Sequence, residues 1–458
     1  MTQPISSLWP RSTSLATASL DAWIDRAFAA ALAAGLLWAP FWLGGAWRLP
    51  WGVNAIVFPG LALGLTMARL ARGRALAGRE MGLPAALFLF VVAWILLQML
   101  LPSTTLAVLG EATPPTISVD PDAGALALTR LITDASVFYL AAALGRDRGL
   151  GLALIAAVAA IAALYSGYGL YLAAAWGNAI PGFQPEDGGF EVRSTFVNRN
   201  AFAAFAGLGL MSVLSLLADT RRVARGAPWR RTLEAAGENA APIAAGLVIA
   251  SALVGSASRG GVLATAFGAL TLAALRAAQR RRRGVGLAGL GLGGVALAAG
   301  AALHGGRLAA RLADAGLSDG ERLRAYRIAL RAIAERPLTG FGYGAFADVF
   351  PLYRDATLSP VGVWELAHNA YLEAAIGLGL VFTGALTLAL GLVTARCGQA
   401  AMQREARAAP LAASAAAALI GADALVDYSL EIEAVSLTFM TLLGLGFAQS
   451  LKRRGAPC

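Results

Sequence analysis

Only two histidines occur in the 458 residues, and their surroundings differ. His368 stands in Ala367-His368-Asn369-Ala370-Tyr371-Leu372-Glu373, at the start of a long apolar run, whereas His304 sits beside Gly305 and Gly306 at the end of another and reads as structural. An imidazole at a helix N-terminus meets the positive end of the helix dipole, which favours the neutral ring that can accept a proton. A polar residue that merely marks a helix end would look the same. Arg259 is flanked by Ser256, Ser258, Gly260 and Gly261, small neighbours that let a bulky anion approach, and a guanidinium grips phosphate oxygens in pairs. An arginine snorkelling to an interface would also fit there. Arg193 precedes Ser194-Thr195-Phe196-Val197-Asn198-Arg199-Asn200. Asn198 and Asn200 are two apart, so on a helix they point in different directions and at most one need face a ligand. Arg130 and Asp134, four apart inside an apolar run, read as a self-neutralising pair. Asp427, Glu431 and Glu433 could hold a cation or supply a carboxylate base, but no Asp-x-Asp or histidine-rich set accompanies them and no metal is expected.

The composition says what must position these residues. Apolar residues make up 58% and charged residues 14%, against about 45–50% and about 25% in soluble domains. The apolar residues collect in runs of about 20, the length of helix that crosses a hydrocarbon layer. A soluble enzyme, a disordered chain and a collagen-like chain are thereby excluded. Cys397 and Cys458, the only cysteines, offer neither a disulfide framework nor a zinc site. No cofactor motif is present. The first 25 residues carry no apolar core of a signal peptide, so the first run is expected to stay as a span.

Twelve spans fit, at 27–46, 51–68, 83–102, 125–144, 150–175, 197–218, 241–257, 261–277, 285–303, 369–395, 409–428 and 432–450. The net charge of +10 suggests nucleic acid until the charges are placed. With the N-terminus inside, most of the 37 basic residues fall in inward-facing segments, including Arg69, Arg72, Arg74, Arg146, Arg148, Arg221, Arg222 and Arg280 to Arg283. Both termini are then cytoplasmic, and the clusters read as topology determinants and lipid contacts rather than nucleic-acid sites.

One outer segment breaks the pattern. The chain divides into a bundle at 1–303, a loop at 304–368 and a second bundle at 369–458, and that loop carries Arg307, Arg311, Arg322, Arg324, Arg327, Arg331, Arg336 and Arg354. Long loops translocate regardless of charge, so the orientation stands. Ser318-Asp319-Gly320-Glu321 reads as a capping box. An amphipathic helix is expected to follow, with Leu323, Tyr326, Leu330 and Ile333 as its apolar stripe. Pro337 stops it before the glycine-rich turn Leu338-Thr339-Gly340-Phe341-Gly342-Tyr343-Gly344.

Five stretches in this order, RSTFVNRNAFAAF (193–205), SASRGG (256–261), GERLRAYRIALRAIAERPLTGFGYGAF (320–346), AHNAYLEAAIGLGL (367–380) and VDYSLEIEA (426–434), resemble the O-antigen ligase and O-antigen polymerase superfamily. Tyr326 stands where many relatives have tryptophan and is expected to keep the packing. The resemblance implies an all-α, GT-C-like membrane glycosyltransferase of about twelve transmembrane helices with one large helical periplasmic loop, in the bacterial inner membrane. It implies a glycan donor on undecaprenyl diphosphate, an acceptor on lipid A core or another glycan, membrane lipids as surroundings, and inversion without metal or other cofactor. It places His368 as base and Arg259, Arg193 and Arg322 around the diphosphate. Asn198, Asn200, Asn369 and Tyr343 are the motif residues then expected to touch substrate. Ligase, O-antigen polymerase and exopolysaccharide polymerase all fit these motifs. A transporter of lipid-linked sugar would need charges at mid-membrane and often shows repeated halves; no repeat is visible, and Arg130–Asp134 is the main intramembrane exception.

Overall fold

Inside a bilayer the backbone has no hydrogen-bond partner but itself, so each long apolar run folds as a helix. The computed structural model of the chain describes residues 13–74, 80–102, 116–180, 191–219, 239–279, 320–359, 363–403 and 407–451. In chain order the helices are α1 (Thr13–Trp38), α2 (Arg48–Leu70), α3 (Gly82–Leu100), α4 (Pro121–Leu144), α5 (Arg148–Ala175), α6 (Arg199–Asp219), α7 (Ala240–Gly255) and α8 (Arg259–Gln279). They continue with α9 (Gly320–Glu335), α10 (Phe346–Tyr353), α11 (Ala370–Leu378), α12 (Leu380–Ala401), α13 (Ala408–Asp423) and α14 (Glu433–Ser450). Eight of them are long and apolar enough to cross a membrane, and no strand is present among the described residues. The protein is an all-α polytopic membrane protein. Each expected span falls on a helix except the ninth, 285–303, which lies outside the described residues, as do His304, Arg307, Arg311, Ser318, Asp319, Arg221, Arg222 and Arg280 to Arg283.

The centre of the bundle is α6, α13 and α14, with α4, α5, α7 and α8 packed around them. Helices in lipid gain most by close packing, which favours small residues. A Cβ on Gly209 would lie 2.1 Å from that of Ala162, and one on Gly446 would lie 2.2 Å from that of Ala413, so these crossings admit glycine alone.

The expected tenth span, 369–395, is in fact two helices. Gly379, at φ +79°, breaks the run between α11 and α12, a conformation costly for any residue with a Cβ. Leu338 and Gly340 crowd it from the facing turn: a Cβ at Gly379 would meet the Leu338 carbonyl oxygen at 2.3 Å. With α9 and α10, α11 builds a separate small core of Ala325, Ile328, Ala329, Ala332, Ile333, Phe346, Val349, Phe350, Ala375 and Ile376. This corrects the expected stripe of α9. Ile333 is buried as expected, but Leu323 and Leu330 are exposed, and Ala325, Ile328, Ala329 and Ala332 take the inner face.

Gln98 fastens this unit to the bundle. It is fully buried at the end of α3 and donates to the carbonyls of Thr339 at 2.7 Å and Gly377 at 2.8 Å, while the Tyr343 N–H donates to its Oε1 at 3.3 Å. A buried amide with both ends satisfied costs little and fixes a register. The amides of Gly340, Phe341 and Gly342 are likewise spent on Arg336, Ile376 and Gly377. The glycine-rich turn is therefore a joint between the two parts.

Candidate active site

The turn joining α13 to α14, residues 424–428, draws the five motifs together. Its carbonyls act as a row of acceptors. The Ala424 carbonyl accepts the Ala370 N–H at 2.9 Å, that of Leu425 accepts the Asn369 amide at 2.9 Å and the Tyr326 hydroxyl at 3.4 Å, and that of Val426 accepts Arg322 Nη1. From the other side the Asn198 amide donates to the Tyr428 hydroxyl at 2.9 Å. A Cβ on Gly260, next to Arg259, would lie 3.2 Å from Val426.

His368 stands over this turn. Its Nδ1 lies 3.6 Å from Asp427 Oδ1, and its ring meets those of Tyr428 and Trp364 edge-on at 4.7 Å and 5.4 Å. The ring is 28% exposed and Asp427 3%, so a sealed carboxylate backs a ring that still faces outward. The carbonyl of His368 accepts the Tyr326 hydroxyl at 2.6 Å. Tyr326 thus contributes a hydroxyl donor at this place. Burial and the adjacent Asp427 push the Tyr428 phenol up to about 12, which keeps it neutral near pH 7.

Backbone strain gathers at the same place. Among the described residues five other than glycine have positive φ, and three of them neighbour the candidates: Ser194 at +54°, Ala257 at +51° and His368 itself at +51°. Such conformations cost about 1–3 kcal/mol each and persist only where the surroundings hold them. At His368 the holding groups are the Tyr326 hydroxyl on its carbonyl and the Glu373 carboxylate, which accepts the Ala367 N–H at 3.0 Å.

Of the three arginines, one contacts the turn and two lie in segments docked beside it. Arg322 touches it directly. Arg259 opens α8, whose cap is Ser258: its hydroxyl accepts the Gly261 N–H at 3.1 Å and donates to Asn200 Oδ1 at 2.8 Å, tying the start of α8 to that of α6. Arg193 lies in the segment docked by the Val192 N–H on the Gly255 carbonyl at 2.9 Å. The N-termini of α6, α8 and α11 all open at this end, adding their positive dipole ends to the arginines' charge.

Several residues singled out for chemistry are occupied in building the site. Asn369 caps α11, accepting the Leu372 N–H at 3.0 Å. Asn198 accepts the Asn200 N–H at 2.8 Å and caps α6, so it lies at the helix start rather than a turn inside the span. Tyr343 sits away from His368, where burial raises its phenol; it lines a cavity of about 260 Å³ with Asp134, Glu431 and Ser436. The expected Arg130–Asp134 pair is not formed. Arg130 pairs with Glu431 at 2.7 Å, and Asp134 accepts the Ser436 hydroxyl at 2.8 Å. The i,i+4 spacing lost because a better-aligned partner arrives from α14's entry turn, which no local spacing reveals. Among the described residues no cluster of three or more His, Cys, Asp or Glu is placed to hold a metal ion.

Residues 244–389 match the model of the O-antigen ligase family. The match contains Arg259, Arg322 and His368 and stops before the 424–428 turn that gathers them. No curated protein matches the chain. Residues 244–389 of this helical membrane protein are thus similar to the O-antigen ligase family, a likeness that supports an activity of the O-antigen ligase or polymerase type.

Proposed function

We propose that the protein transfers a glycan from undecaprenyl diphosphate to a sugar hydroxyl on the periplasmic face of the inner membrane, as an O-antigen ligase with lipid A core as acceptor. The end of the bundle carrying α9 to α11 then faces the periplasm, and both termini lie in the cytoplasm. Arg69, Arg72, Arg74, Arg146 and Arg148, all at the opposite end, support that orientation. The observation that carries the reading is the convergence of His368, Asp427 and the three arginine-bearing segments on one turn.

In this reading His368, with Nδ1 toward Asp427, presents Nε2 to the acceptor. The acceptor hydroxyl gives its proton to Nε2 as its oxygen bonds to the anomeric carbon of the donor sugar. The bond from that carbon to the diphosphate oxygen breaks, and undecaprenyl diphosphate leaves with the electron pair. Negative charge grows on the leaving oxygens, where Arg259, Arg193, Arg322 and the helix N-termini act together, so no divalent cation is required. One displacement from the face opposite the leaving group inverts the anomeric centre. Asp427, 3.6 Å from Nδ1, orients the ring.

The test is deletion of the protein followed by electrophoresis of the cell's polysaccharide. Bare core with long chains still on the carrier is the expected result. Core bearing a single repeat makes the protein a polymerase, and loss confined to secreted polysaccharide makes it an exopolysaccharide polymerase. Unchanged polysaccharide in all three fractions overturns the reading.

A further inference from the structure

Arg130 is the intramembrane charge that this chemistry leaves unused. Its Nη1 donates to Glu431 Oε2 at 2.7 Å, its Nη2 donates to the main-chain carbonyl of the same residue, and the guanidinium lies 4.7 Å over the Trp51 ring. Neutralising a charge needs only the first contact. Holding side chain and carbonyl of one residue together fixes the backbone there, and a planar fork against a ring leaves that grip little freedom.

The backbone so fixed leads directly to the site. Glu431 closes the short 3-10 turn Ser429–Glu431, its N–H donating to the Tyr428 carbonyl at 2.7 Å. Tyr428 and Asp427, next in line, are the groups that face the His368 ring. Glu373, within electrostatic range of Arg130 and Glu431, accepts the N–H of Ala367, the residue before His368. The Asp427–Tyr428 wall of His368 and the backbone entering it therefore both connect to one buried polar hub.

We propose that Arg130 is a positioning residue for glycan transfer: through Glu431 it sets the Asp427–Tyr428 turn against His368. The proposal rests on the reading of His368 as the base. A displacement of about 1 Å at a reacting group costs up to about a hundredfold in rate, so the hub matters without touching substrate.

The experiment uses the purified full-length protein in detergent and compares Arg130→Met, Arg130→Lys and Glu431→Gln with the parent. The first readout is kcat and KM for transfer from the carrier-linked donor. The second needs no turnover: in a His304→Gln background His368 is the sole histidine, and its rate of modification by diethylpyrocarbonate reports how firmly Trp364 and Tyr428 enclose it. Arg130→Met is expected to lower kcat by roughly ten- to a hundredfold with KM within about twofold, and to speed modification several-fold. Lysine is expected to restore less than half of the lost rate, since one ammonium does not reproduce the fork. Unchanged kcat and unchanged modification in folded Arg130→Met overturn the proposal. If that variant fails to accumulate, Glu431→Gln, which keeps the carbonyl contact, carries the same comparison. A parent that modifies slowly but transfers nothing would refute the functional reading and leave the modification rates to judge the positioning role.

Discussion

Two polar constellations lie on either side of residues 427–431, and they are built differently. Above, the His368 site uses strained backbone, aromatic rings and main-chain carbonyls, with the ring partly open to the outside. Below, Arg130, Glu431, Glu433, Asn54 and Asp134 form a hub of charges and amides set among the helices, where Asn54 donates to Glu433 and Glu433 is 2% exposed. A site that must admit substrate cannot be held by strong buried ion pairs at the reacting atoms, whereas a hub away from those atoms can. The difference predicts that changes above cost rate and changes below cost folded protein, with the Arg130–Glu431 pair as the one that costs both.

The sharpest way to break that division is His368→Asn. Asparagine tolerates positive φ better than alanine, so the strained backbone survives while the base is lost. Transfer by purified protein is expected to fall at least about a hundredfold, with the melting temperature in detergent unchanged. Near-normal transfer would remove His368 from the chemistry, and a collapse in melting temperature would mean that the upper site is structural too. Next in size is Arg259→Lys. If the guanidinium holds two phosphate oxygens, lysine keeps the charge and loses the geometry, and kcat/KM is expected to fall about tenfold or more. Full activity of the lysine variant would reduce Arg259 to a simple point charge.

Below the turn, Asn54→Leu removes the donor to Glu433 and leaves a carboxylate with 2% exposure short of a partner. The expected cost is about 1–3 kcal/mol of stability, read as a lower melting temperature, while kcat per folded molecule stays within about twofold. A fall in kcat with unchanged stability would erase the distinction between hub and site.

How much of this was legible in the sequence follows from what is local. The apolar spans are local, and those within the described residues lie on helices. His368 and Arg259 stood out because few residues of their kind have such neighbours. The Gly379 break was hidden, because glycine occurs inside many apolar runs and only the crowding by Leu338 and Gly340 gives this one a positive φ. The sequence groups Asp427 with Glu431 and Glu433 as three carboxylates close together. The place of Asp427 behind His368 depends on a turn reached from α9, α11 and α6 at once, and no spacing encodes that. The Arg130 partner failed for the same reason: Glu431 lies 301 residues away. A signal for Tyr428 was available in VDYSLEIEA, where an aromatic follows a carboxylate between two apolar helices, though it names no partner.

The smallest effect is expected at Asp355, an exposed carboxylate on the outer unit. The Thr357 hydroxyl and Arg331 hold its carboxyl down at about 2, and the Thr357 N–H donates to it at 3.0 Å. A folded value below the unfolded one of about 3.9 means that its contribution is fully present above pH 4 and is lost as the pH falls through about 2. Near neutrality Asp355→Asn should therefore shift the melting temperature only slightly, because water and salt screen an exposed pair. The gap between variant and parent should close as the pH is lowered from 5 to 2. Transfer should be unaffected throughout the range in which the protein is folded, since α9 reaches the 424–428 turn through Arg322 and Tyr326 on another of its faces. A loss of transfer in Asp355→Asn would mean that the 353–359 segment steers α9 onto the turn, and the boundary between chemistry and scaffold would then have to be drawn further out.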